Sequence, residues 1–99
     1  MDVQFAQAKI KPEHVDEVQA AAGRMFAAID AAKPQGIRYA WLMLGDGETF
    51  AAVVQVDDGA ENPIPALPEY QQLQEGLKGW LAEAPEGRAL TVVGSYRLF

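Results

Sequence analysis

Apolar residues along this chain recur first at every second position and then at every third or fourth, and this change of period predicts its elements. Residues 3–10 alternate between two sides, which is typical of a strand. Apolar residues across 15–29 recur with helical spacing, and Pro12 suits a first helical turn. The helix should end near Lys33, because Pro34 disfavours helical geometry in the residue before it. The first third of the chain therefore predicts a strand followed by a long helix.

A hairpin is predicted next. Residues 37–44 and 49–56 are rich in aromatic and branched side chains and flank a Gly-Asp-Gly-Glu sequence. Asp46-Gly47 is typical of a two-residue turn in which both central residues have positive φ. The resulting register predicts the cross-strand pairs Ile37 with Val56, Tyr39 with Val54, Trp41 with Ala52, and Met43 with Phe50.

The last third of the chain predicts a loop, a helix and a strand. Residues 57–68 contain several prolines and an acidic start, which predict an exposed loop or lid without a regular element. Apolar residues then recur with helical spacing from Tyr70 to Leu81, although Gly76 and Gly79 each cost a helix about 1 kcal/mol. After a turn at 85–87, alternation over 90–99 predicts the final strand.

The order βαββαβ predicts an α+β, ferredoxin-like fold, with a four-stranded antiparallel sheet and two helices on one face. Residues 1–99 are expected to form a single domain. The hairpin register gathers the bulky apolar side chains on one face, which we assign to the helices and a pocket. The other face has few polar residues, so we expect a second copy of the chain to bury it.

Two local patterns support a family resemblance. A Lys11-Pro12-Glu13 start precedes the first helix, and Pro-x-Tyr-x-x-Leu-x-x-x-Leu-x-x-Trp runs from Pro68 in the second. With the order of elements, the chain resembles the antibiotic biosynthesis monooxygenase-like proteins of the dimeric α+β barrel superfamily. The resemblance implies a homodimer paired through its sheets. Members include cofactor-independent monooxygenases, isomerases, haem-degrading enzymes and proteins without assigned activity, and many carry a second-helix histidine that this chain lacks.

Composition narrows the classes of partner. The net charge of −6 and the scattered basic residues argue against nucleic-acid binding. The sequence has no signal-peptide pattern and no long apolar run, so we expect a cytoplasmic protein that does not enter a membrane. With one histidine and no cysteine, we predict no metal site, and no cofactor. Acidic residues in the 57–68 loop favour solvation over calcium or magnesium binding.

Aromatic residues are the main candidates for a site. Two interpretations are open: they fill the core, as aromatics at such spacing usually do, or they line a pocket for a small planar aromatic ligand. His14 is a weak candidate, because an imidazole in the first turn of a helix is more often solvated than a ligand or base. The pocket candidates are Gln7, Tyr39, Trp41, Tyr70, Trp80 and Tyr96, with Gln7 or Tyr96 orienting the ligand.

Two functions are compatible with the sequence. The first is a small homodimeric enzyme that oxidises or isomerises an aromatic or polyketide-like molecule without a protein-bound cofactor. The second is a non-catalytic dimer that binds a small ligand or assists another protein. Aromatic content favours the first, and the lack of a matched acid-base pair favours the second.

Overall fold

The sheet and both helices appear in the predicted order in the computed structural model, which describes residues 2–98. The four strands are antiparallel and lie side by side in the order β2-β3-β1-β4. The α+β, ferredoxin-like prediction is confirmed. The strands are β1 (Asp2–Lys9), β2 (Ile37–Met43), β3 (Thr49–Val56) and β4 (Glu86–Leu90), and the helices are α1 (Val15–Ala32) and α2 (Pro68–Trp80).

Helix α1 begins and ends with recognisable backbone signals. A 3-10 turn over Pro12–His14 leads into it, with proline in the first turn where its missing N–H costs nothing. The helix ends at Ala32 and is capped by Lys33, which has a φ of 47° and donates its backbone N–H to the carbonyl of Ile29. This left-handed closing residue places the end of α1 where the sequence predicts it.

The predicted register of the hairpin is confirmed. Trp41 of β2 pairs with Ala52 of β3, and Tyr39 pairs with Val54. Strand β1 continues the same faces, because its Ala6 pairs with Ala52 on the other side of β3. The odd-numbered residues of β2 therefore share a face with the even-numbered residues of β1 and β3.

The predicted hairpin turn is wrong in type. Leu44 and Thr49 still pair through the backbone, so the loop has four residues instead of two. Only Gly47 of the loop has a positive φ, of 73°, whereas Asp46 does not. The Asp46 carboxylate accepts hydrogen bonds from the backbone N–H groups of Glu48 and Thr49, each at 2.9 Å. This side-chain capping favours the longer loop.

Both helices cover the bulky face of the sheet, as predicted. Met25 of α1 and Leu73 of α2 are fully buried and belong to one apolar cluster. Tyr39 and Trp41 of β2 pack against this cluster. A second cluster at the hairpin end joins the helices to β1 and β3. Its buried residues are Ile10, Val18 and Phe50.

The connection from β3 to α2 contains a short regular element that the sequence interpretation missed. Residues Ile64–Ala66 form a 3-10 turn, and Ile64 is buried. The side chain of Asn62 accepts a hydrogen bond from the Ile64 backbone N–H at 3.1 Å. The prediction that 57–68 holds no regular element is therefore wrong, because a single buried isoleucine anchors the segment among its prolines.

The last strand lies earlier than predicted. Strand β4 spans Glu86–Leu90, so the predicted turn at 85–87 is mostly strand, and residues 91–98 are in no strand. The reason lies in β1, because Leu90 pairs with Val3 and almost no β1 residues remain beyond it. Without a neighbouring strand, the alternating sequence of 91–98 has nothing to pair with. Phe99, the predicted end of the strand, lies outside the described residues.

Candidate functional site

A cavity of about 440 Å³ lies between the sheet and α2, partly open to solvent. Helix α2 contributes Tyr70, Gln74 and Leu77, which are spaced by four and three residues and so share one helix face. The segment from Pro85 to Gly87, where β4 begins, closes one end. The cavity is therefore built by the packing of α2 across the sheet.

Small side chains on the sheet leave room for this cavity. Ala6 and Ala8 of β1 and Ala52 of β3 face the helices, and Ala6 and Ala52 are a cross-strand pair. Their methyl groups cannot reach α2 across the gap between sheet and helix. Tyr39 and Trp41 rise beside them on β2, so the cavity has a low alanine floor and an aromatic wall.

Tyr39 and Trp41 are joined by a hydrogen bond across their shared face. The indole Nε1–H of Trp41 donates to the Tyr39 hydroxyl at 2.8 Å. Residues two apart on a strand point to the same side, which brings these two side chains together. Neighbouring rings hold the pair, with Phe26 at 5.2 Å from Tyr39 and Phe50 at 6.0 Å from Trp41, measured between ring centroids.

Burial controls the protonation of Tyr39. It raises the pKa of the phenol above its ordinary value of 10.0, because the charged phenolate would lose solvation. The Trp41 hydrogen bond lowers the pKa by less, and the nearby Tyr70 adds to the rise. Tyr39 therefore keeps its proton at neutral pH, and it can act as a hydrogen-bond donor but not as a base.

The remaining polar residues of the cavity lining are Tyr70, two glutamines and one glutamate. Gln4 and Gln74 line it from β1 and α2. Glu86 is the only charged residue among the described residues that line the cavity. It is exposed and pairs with Gln7 across β1 and β4, so its side chain belongs to the opposite face of the sheet. Arg88 donates a hydrogen bond to the Glu86 carboxylate at 3.2 Å. The site is mainly apolar, with neutral donors and acceptors.

The structure brings three of the predicted candidates together. Tyr39, Trp41 and Tyr70 all line the cavity. Gln7 lies on the opposite face of the sheet, in a polar hollow of about 280 Å³ that it shares with Lys9 and other residues. Gln7 therefore does not reach the aromatic cavity, because alternation along β1 turns it away.

Trp80 and Tyr96 also lie away from the cavity. Trp80 packs against the buried residues of both apolar clusters, so it belongs to the core. Tyr96 is 81% exposed, because the strand in which it was predicted does not form. The guanidinium of Arg97 lies 5.2 Å from the centre of the Tyr96 ring.

His14 is half-buried at the start of α1. Its Nδ1 lies 2.8 Å from the Glu17 carboxylate, and its ring lies 6.4 Å from that of Trp80. It is absent from the cavity lining among residues 2–98. The imidazole contacts Glu17 within the first turn of the helix and does not face the candidate site.

Solved structures with the same architecture include an antibiotic biosynthesis monooxygenase, with a TM-score of 0.73, 16% identity, and coverage of 95% of this chain and 100% of that one. The protein Rv0793 from Mycobacterium tuberculosis gives a TM-score of 0.73 at 16% identity, with coverage of 95% and 96%. SnoaB, a cofactor-independent oxygenase from Streptomyces nogalater, gives a TM-score of 0.67 at 19% identity, with 97% of each chain covered. The chain has the fold of the antibiotic biosynthesis monooxygenase-like proteins.

This likeness confirms the architecture that was predicted from the sequence. At 16–19% identity, it shows a shared fold and nothing more. No protein-family model and no curated protein matches the chain significantly. An antibiotic biosynthesis monooxygenase-like fold can host different functions, so the fold by itself assigns no role to the residues of this cavity.

Three polar residues of the lining were not among the predicted candidates. Gln4 alternates with Ala6 and Ala8, so its direction was readable once the helix-facing side of β1 was assigned. Gln74 lies four residues after Tyr70 and shares its helix face. Glu86 had no comparable signal, because it was assigned to a turn.

Within residues 2–98, no group of three or more histidine, cysteine, aspartate or glutamate side chains is placed to hold a metal ion. Neither helix of the described chain combines the length and apolarity that crossing a membrane requires.

Proposed function

We propose that the protein is a small cytoplasmic homodimer that binds a planar aromatic or polyketide-like molecule in the cavity between the sheet and α2, and oxidises or isomerises it without a protein-bound cofactor. The cavity itself is the main support. Its volume of about 440 Å³ lies within the usual range for small-molecule sites. Aromatic side chains that only filled a core would leave no such space beside Tyr39, Trp41 and Tyr70.

The protein would contribute confinement and hydrogen bonding. The aromatic wall would hold a planar ring system, and α2 would exclude most of the solvent. For an anthrone, the reaction is anthrone plus dioxygen to anthraquinone plus water. One oxygen atom replaces the two hydrogens of the methylene carbon and the other leaves as water, so all four electrons come from the substrate. No redox group on the protein is required for this balance.

Oxygen consumption with a panel of anthrones and quinols tests this proposal. We expect faster consumption with protein than without it for at least one substrate, and at least about a tenfold loss in Trp41→Ala, because the aromatic wall is removed. On α2, Gln74→Ala is the test variant and Gln72→Ala is its matched control, because Gln74 lines the cavity and Gln72 does not. Gln72→Ala should retain full activity. If no substrate reacts faster with protein, the enzymatic function is wrong.

A non-catalytic binding protein is the second candidate. It is favoured by the lack of an acid-base pair among the described residues of the cavity, where Glu86 is the sole carboxylate. Quenching of tryptophan fluorescence by anthraquinone, together with unchanged oxygen consumption, would support this function over the first.

The proposed dimer rests on the sheet face opposite the helices. Leu42 and Leu90 on this face are 55% and 43% exposed, and Phe5 and Val53 are only half-buried. A sheet face left to water normally carries more polar side chains. Packing against the same face of a second copy would remove this apolar surface from solvent.

A further inference from the structure

The hydrogen bond between Trp41 and Tyr39 has only one possible direction. An indole N–H can donate but not accept, so the Tyr39 oxygen is the acceptor. A phenol has a single proton, and among residues 2–98 no group accepts the proton of Tyr39. Since Tyr39 lines the cavity, this proton can form a hydrogen bond with a bound molecule.

The environment makes this hydroxyl a good donor. A hydroxyl that already accepts a hydrogen bond is polarised and donates more strongly. Burial keeps the phenol protonated by raising its pKa. The position is also fixed, because the Trp41 bond and the Phe26 ring hold the Tyr39 side chain.

Charge limits which acceptor can bind there. The described cavity lining contains no lysine or arginine, and its one charged residue, Glu86, is acidic. The whole chain carries a net charge of −6. A buried anion needs a cation or several donors to replace its lost hydration, so an anionic ligand is disfavoured.

We propose that Tyr39 is the specificity-determining residue of the cavity, and that it selects a neutral planar ligand whose carbonyl oxygen accepts the Tyr39 hydrogen bond. This inference rests on the proposed function and deepens it, because it names the class of ligand. Ketones and quinones of fused aromatic rings fit this description. The same ring systems carrying a carboxylate do not.

Equilibrium dialysis with four probes tests the inference. Anthracene and anthraquinone differ in the carbonyl groups, and the 2-carboxamide and 2-carboxylate of anthraquinone differ mainly in charge. In the wild type, we expect anthraquinone to bind about tenfold more tightly than anthracene, because one net hydrogen bond contributes about that difference in affinity. We expect the carboxylate to bind at least about tenfold more weakly than the carboxamide.

Two tyrosine variants complete the test. Tyr39→Phe should weaken anthraquinone binding about tenfold and leave anthracene binding unchanged. Tyr96→Phe is the matched control, and it should alter neither affinity, because Tyr96 is exposed away from the cavity. Equal anthraquinone affinity in Tyr39→Phe and the wild type would overturn the role of Tyr39 while leaving the aromatic site intact.

Two wild-type results do not depend on how the variants fold. If the carboxylate binds as tightly as the carboxamide, the proposed charge selectivity is wrong although the aromatic site stands. If none of the four probes binds, both the inference and the proposed function fail.

Discussion

The ring of Trp80 occupies the space that a side chain at position 76 would need. A Cβ atom added to Gly76 would lie 2.5 Å from the nearest atom of that ring, whereas one added to Gly79 would meet nothing within 4 Å. Two glycines of the same helix therefore differ in role. Gly76 permits Trp80 to fold back along α2, and Gly79 has no such contact.

Alanine substitutions should separate these two glycines. Gly76→Ala must displace Trp80 from its contacts with both apolar clusters, and we expect a loss of about 1–3 kcal/mol in the free energy of unfolding. Gly79→Ala should raise it by up to about 1 kcal/mol, because alanine is the better helix former. Urea unfolding followed by circular dichroism measures both. Equal effects of the two substitutions would contradict this assignment.

The stability of the protein should fall at high pH through Tyr39. Its pKa is raised in the folded chain, mainly by burial, so the unfolded chain loses the tyrosine proton first as pH rises. The contribution of protonated Tyr39 to the free energy of unfolding is intact below the ordinary pKa of 10.0. It is lost as pH rises through the higher pKa of the folded chain. Between about pH 8 and about pH 11, the free energy of unfolding should therefore fall less in Tyr39→Phe than in the wild type.

Urea unfolding across that range provides the measurement. Tyr96→Phe serves as the control because Tyr96 is exposed, and its stability should follow the wild-type dependence. Parallel curves for Tyr39→Phe and the wild type would refute the assigned role of burial.

The hairpin loop should depend on the carboxylate of Asp46. The Thr49 hydroxyl donates to it at 2.6 Å, and this bond, followed by those from the Glu48 and Thr49 backbone N–H groups, lowers the Asp46 pKa. The stabilisation that the Asp46 carboxylate provides is present above the ordinary pKa of 3.8. It is lost as pH falls through the lower pKa of the folded chain. Asp46→Ala should therefore lower the urea midpoint at neutral pH, by an amount that shrinks in acid.

Asp30→Ala is a suitable control for this loop. Asp30 is exposed in the last turn of α1, where a negative charge opposes the helix dipole, so its removal should keep or raise the midpoint. An Asp46→Ala midpoint equal to that of the wild type would mean that the carboxylate does not stabilise the loop.

Dimerisation should depend on the sheet face opposite the helices. We expect the wild type to sediment at micromolar concentration with twice the mass of one chain. Leu42→Arg should convert it to monomers, because charge would replace an apolar side chain that is 55% exposed. Gln72→Arg adds the same charge to an exposed position on α2 and should leave the dimer intact. A wild-type monomer would refute the proposed interface.

The parts of the fold that follow from local pattern were predictable from sequence. Alternation fixed which residues of β2 and β3 share a face, and therefore that Tyr39 and Trp41 lie together under the helices. The extent of β4 was not predictable in this way. Its end depends on where β1 begins, which is a relationship between residues almost a full chain length apart.

The candidate site was predictable to a similar degree. Tyr39, Trp41 and Tyr70 follow from periodicity, whereas Trp80 was misplaced because a helix position alone does not say whether a ring points into a cavity or back along the helix. The direction of the Trp41 hydrogen bond required the three-dimensional structure.

The alanine floor also bears on how this site can change over evolution. Ala6, Ala8 and Ala52 limit the depth of the cavity, yet none of their side chains takes part in the Tyr39–Trp41 hydrogen bond. A single change from alanine to valine or leucine would make the cavity shallower without removing any polar group. In the proposed site, ligand size and ligand polarity therefore depend on different residues, and selection can adjust one of them while the other is retained.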